Sequence, residues 1–125
     1  MQSTLRGEAV RLSLPATPAY VRIVRLAASG IAPNLGFDVD ELDDLRVAVG
    51  ELVNLTLEVC KPETLDVVFT IAGNEFQIEG SAPAADGRTV ELDILTRQIL
   101  DAFLDTYTIE IVDDRVCFTC TLRPG

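Results

Sequence analysis

The sequence predicts an α+β fold: a two-layer sandwich whose mostly antiparallel sheet is covered on one face by three helices. Three observations lead there. Two stretches alternate apolar and polar residues twice around a turn, as hairpins do; three others repeat apolar residues at helical spacing. Their order along the chain is β-α-α-β-β-α-β-β. With 125 residues, 48% of them hydrophobic, the expectation is a single domain spanning 1–125 with a real core.

Each element has a local reason. "EAVRLSLPA" sets Val10, Leu12 and Leu14 against Arg11 and Ser13, a half-buried strand. "TPAYVRIVRLAASGIAP" offers Thr17 as N-cap and Pro18 at the first helical position. Pro33 biases Ala32 away from helical angles, so that helix is expected to stop there. After the short link "NLGF", a second helix opens at Asp38 or Asp40 and runs to about Cys60. "LDVVFTIAG" and "EFQIEG" form strands joined at Gly73-Asn74, and "SAPAADGR" reads as a loop. "VELDILTRQILDAFLD" returns to helical spacing through Leu92, Leu95, Ile99 and Phe103. "YTIEIVDDRVCFTCTL" closes the chain as a second hairpin around Asp113-Asp114-Arg115.

Charge and composition exclude several classes. Twenty acidic and 10 basic residues give a net charge of −10, which duplex DNA and anionic membranes repel. No nucleic-acid or membrane partner is therefore expected, and a protein partner is. No apolar run approaches the ~18 residues of a membrane span, and "MQSTLRGEAVRL" lacks the apolar core of a signal peptide. Three cysteines make a disulfide framework unexpected and fit a reducing, cytoplasmic location. With no histidine, zinc sites and histidine-activated nucleophiles are not expected, and no metal site is assigned. Cys117 and Cys120 form a C-x-x-C on a strand, where alternation sends them to opposite faces.

The chemistry-bearing stretch is "DLRVAVGELVNLTLE" in the second helix. At ~100° per residue, Leu45, Ala48, Val49, Leu52, Thr56 and Val59 make the core stripe. Glu51, Asn54 and Glu58 gather on another side, which is either solvated or a site.

From Leu12 to about Asn54 the sequence resembles the anti-sigma-factor serine-kinase branch of the GHKL ATPase superfamily. The resemblance rests on "VRLSLPATPAYVRIVRLA" and "DDLRVAVGE", with "LTRQILDAFLDTYTIEI" where that family has its last helix and strand. It implies the Bergerat, histidine-kinase-like fold, with Mg-ATP as a possible cofactor. It places Glu51 at the catalytic general base and Arg25 on a helix that contacts the sigma subunit, with Arg22 extending a basic strip. Partners implied are a sigma factor or an anti-anti-sigma-like antagonist.

The chain departs from that pattern where nucleotide is held. The family's magnesium-binding asparagine falls four residues after the glutamate, at Leu55 here. Asn54 is one residue early and swung by ~100°, so only a bulge near Gly50 would return it. No D-x-G-x-G follows the strand that ends near Gly80; Asp86-Gly87 reads as a plain turn, and about ten residues leave little room for a lid. Asp114-Arg115 stands where the family has G-T, and Asp113 and Asp114 would repel a phosphate.

The expected function is regulation by protein–protein binding (partner switching), with ATP binding weak or lost. The alternative is an ATP-dependent serine-protein kinase acting on an anti-anti-sigma partner, with Glu51 as base and Asn54 or Glu58 as substitute cofactor ligands. A third possibility is a homodimer built through the first helix or a sheet edge.

Overall fold

The computed structural model describes residues 8–125; residues 1–7, on which the expectation about a signal peptide mostly falls, lie outside the described residues. Strand β1 (Glu8–Pro15) leads through a 3-10 turn (Pro18–Tyr20) into α1 (Val21–Ile31). A second 3-10 turn (Ala32–Leu35) precedes α2 (Val39–Val59). Then come β2 (Thr64–Ala72), β3 (Glu75–Pro83), α3 (Ile94–Phe103), β4 (Thr106–Val112) and β5 (Arg115–Leu122). The five strands form one sheet in the order β1-β2-β3-β5-β4, every neighbouring pair antiparallel. The predicted fold class and element order are those observed.

Alternation decides which face is covered. Leu65, Val67 and Phe69 of β2, Phe76 and Ile78 of β3, and Val116, Phe118 and Cys120 of β5 point under the helices and are buried. Facing them are Val24 and Ala28 of α1, Leu45, Val49 and Leu52 of α2, and Leu100 of α3. Each fully buried Leu or Phe contributes roughly 2 kcal/mol relative to an exposed one. The opposite face is polar: the Ser13 hydroxyl donates to Asp66 Oδ1 at 2.6 Å and Arg115 donates to Ser81 Oγ at 2.9 Å. Thr106–Thr121 and Thr108–Thr119 hydroxyl pairs continue it across β4 and β5. Cys117 lies on this face, half-buried, and Cys120 in the core, so the two cysteines do diverge.

Four local expectations need correction. Ala32 keeps helical angles (φ −55°, ψ −38°) although Pro33 follows. Proline disfavours those angles in its predecessor without forbidding them, and its missing N–H ends the α-helix, so the chain tightens into a 3-10 turn until Gly36 at φ 93°. Segment 81–83 is strand, not loop: Ser81, Ala82 and Pro83 pair with Cys117, Val116 and Arg115. Pro83 is tolerated because β2 pairs only as far as Ser81. Helix α3 starts at Ile94, later than its apolar spacing suggests, because Asp93 caps it by accepting the Thr96 N–H at 2.7 Å. Leu95 is 67% exposed, and Leu100 takes the core contact instead.

Candidate functional site

Helix α2 positions the residues singled out from the sequence. Asp38 starts it with a capping box: the Glu41 N–H donates to Asp38 Oδ1 at 2.8 Å, and the Asp38 N–H donates to Glu41 Oε1 at 2.9 Å. All six residues of the expected core stripe are buried, joined by Gly50, Val53 and Leu55. The stripe is wider than expected because α2 packs against α1 and α3 as well as against the sheet. The helix runs unbroken from Val39 to Val59, so Gly50 introduces no bulge. Asn54 therefore stays ~100° around the axis from Leu55.

Glu51, Asn54 and Glu58 meet in one cleft of about 420 Å³. Leu55 and Leu57 of α2 supply its apolar wall, and Pro18 and Thr96 close it from the 3-10 turn and from α3. Leu55 stands one turn beyond Glu51, on the cleft side, yet only 8% exposed. Among the described residues the lining thus holds two carboxylates, a carboxamide and a hydroxyl, without a cationic side chain. Such a surface attracts cations and hydrogen-bond donors. At its edge the Asp93 carboxyl is held below its ordinary range, chiefly by the Thr96 N–H it accepts. Pro18, read from the sequence only as a helix start, and Thr96 were not expected in the site, since the packing of three separate elements brings them here.

Arg22 and Arg25 are exposed on α1. Among the described residues neither forms an ion pair. Arg25 lies across α2 beside Gly50 and shares a second cleft with Arg46, Val47, Glu51 and Asn54. Arg22 lines neither cleft.

Ten residues, 84–93, link β3 to α3, and they are tied to α2 rather than extended over the cleft. The Ala85 N–H donates to the Val59 carbonyl at 2.8 Å, and the Arg88 guanidinium donates to the Glu58 carbonyl at 3.0 Å. Both bonds satisfy carbonyls left open at the helix end. Asp86-Gly87 is a turn, with Gly87 at φ 73° and Arg88 N–H reaching back to the Ala85 carbonyl. Asp113 and Asp114, at φ 51° and 62°, form the two-residue turn between β4 and β5.

No family model matches the chain. It is 28% identical to the serine-protein kinase RsbW of Bacillus licheniformis across 86% of this chain and 75% of that protein. To RsbW of Bacillus subtilis it is 45% identical over 42 residues, 34% of this chain and 26% of that one. A crystal structure of the RsbU and RsbW domains of a Mycobacterium tuberculosis protein superposes with a TM-score of 0.73 at 18% identity. It covers 93% of this chain, which spans about a third (32%) of that one, and at such identity the likeness concerns fold alone. The chain thus has homologues named serine-protein kinase RsbW over most of its length, at 28–29% identity, and shares the fold of an RsbW domain.

Proposed function

We propose that the chain is a regulatory protein that works by docking to a protein partner, a sigma factor or an anti-anti-sigma-like antagonist, with Mg-ATP binding weak or lost. The observation that carries this is Leu55: it occupies the position one turn after Glu51 and is buried there by packing, on a helix with no bulge. A hydrocarbon cannot ligate a metal, and metal–ligand distances tolerate only ~0.2 Å. Asn54, one residue earlier and ~100° around the axis, cannot stand in for it.

Two further observations support the same reading. Triphosphate carries several negative charges, and the cleft offers it Glu51 and Glu58, with no lysine or arginine among the described residues of its lining. The 84–93 segment is bonded to the end of α2, which leaves little chain to fold over a nucleotide. The residues present do not fit Mg-ATP. Isothermal calorimetry with Mg-ATP is the test: no saturable heat is expected, and tight magnesium-dependent binding contradicts the proposal.

A second reading, an active serine-protein kinase, is favoured by one observation: Glu51 remains and faces the cleft. It requires that the chain phosphorylate an anti-anti-sigma-like protein and that Glu51→Ala abolish the reaction. Phosphate transfer unaffected by that substitution removes it.

A further inference from the structure

The cleft at Glu51 and Glu58 adjoins a second one of about 210 Å³, and Glu51 and Asn54 line both. Together they follow α2 from Arg46 to Glu58, ~18 Å of helix at 1.5 Å per residue. Charge is segregated along this groove. At one end lie Arg25, unpaired among the described residues, and Arg46, which is paired with Asp43 and donates to Ser29 Oγ at 3.3 Å. At the other lies Glu58, with Glu51 between. Arg88 approaches the same end but bonds the Glu58 main-chain carbonyl and lines neither cleft. Val47, 44% exposed, and half-buried Leu57 add apolar surface.

We propose that this groove docks an amphipathic helix of a protein partner, and that its segregated charge sets the direction in which the helix lies. An acidic side chain sits over Arg25 and a basic one over Glu58. Gly50, which Arg25 overlies, and Glu58 are ~12 Å apart along α2. The partner's two charges therefore fall about two turns apart on one face, since that spacing returns side chains to the same side. The proposal rests on the protein-docking function and names the chemistry of what docks.

The test uses the full chain, labelled with nitrogen-15, and two alanine-based helical peptides of equal composition. One carries Glu near its N-terminus and Arg two turns later; the other has them exchanged. Both carry leucines on the same face and a nitroxide at the N-terminus. Saturable shifts are expected along Val47–Glu58 with both peptides. Nitroxide broadening is expected at the Arg25 end with the first and at the Glu58 end with the second. Arg25→Glu or Glu58→Arg alone should weaken either peptide roughly fivefold, the upper range for an exposed ion pair, and the two together should exchange the broadened ends. Broadening at one fixed end, or no saturable shift in the groove, overturns the proposal. Either failure leaves docking elsewhere on the chain intact, whereas the docking function itself fails if the full chain binds neither a sigma factor nor an anti-anti-sigma-like protein, which these peptides do not report.

Discussion

Arg25 of α1 lays its side chain across Gly50 of α2, so that a Cβ on the glycine would stand 3.4 Å from Cδ and 3.8 Å from Nε. Those are ordinary contact distances, so an added methyl fits. Glycine inside a helix costs roughly 0.5–1 kcal/mol relative to alanine. Gly50→Ala is therefore expected to stabilise the chain by that amount, raising the melting temperature by ~3 °C. A lower melting temperature would mean that Arg25 has no room to accommodate the methyl.

Gly80 has no such room. It pairs with Phe118 on β5, and a Cβ there would penetrate the phenylalanine ring. Gly80→Ala should cost ~1–3 kcal/mol by overpacking, read from urea unfolding. On a Phe118→Ala background the added methyl meets no ring, so the penalty should disappear. If it persists there, the ring is not its cause.

The Asp113-Asp114 turn holds two residues at positive φ, as a two-residue type I′ hairpin requires. Aspartate adopts that conformation less readily than Asn-Gly, and here two carboxylates are adjacent. The paired substitution Asp113→Asn with Asp114→Gly should stabilise by ~1 kcal/mol. Thermal unfolding checks it, and an unchanged or lower midpoint contradicts the turn assignment.

Burial pushes the Cys120 thiol up to about 12 from 9.0. The folded state keeps this thiol neutral, while the unfolded chain ionises it above pH 9. Its contribution is therefore complete below pH 9 and is lost as pH rises toward 12, by up to ~1.4 kcal/mol per unit. Cys60, raised by burial, and Tyr107, raised by its hydrogen bond to Asp101, act in the same direction. Unfolding free energies of the parent and of Cys120→Val should draw apart above pH 9, with the parent falling faster. Parallel curves would contradict a neutral buried thiol.

What was legible in the sequence was what one segment encodes by itself. The cap at Asp38, the stripe of α2 and the shared face of Glu51, Asn54 and Glu58 follow from a 3.6-residue period. The helical angles of Ala32 escaped because a local bias gave way to the surrounding structure. Ser81–Pro83 look like a loop since small residues and proline carry no strand signal; pairing with β5, far along the chain, makes them strand. Leu95 fits a helical stripe, but the later start of α3 turns it outward. Pro18 and Thr96 joined the cleft through tertiary packing, which no local pattern announces.

The central claim is that Leu55 has closed the metal position beside Glu51. A thermal-shift titration with Mg-ATP and Mg-ADP tests it most directly. A nucleotide at one hundred times its dissociation constant adds ~2.7 kcal/mol of stability, a shift such an assay resolves. The melting temperature is expected to stay unchanged up to millimolar nucleotide. A saturable, magnesium-dependent rise would contradict the account.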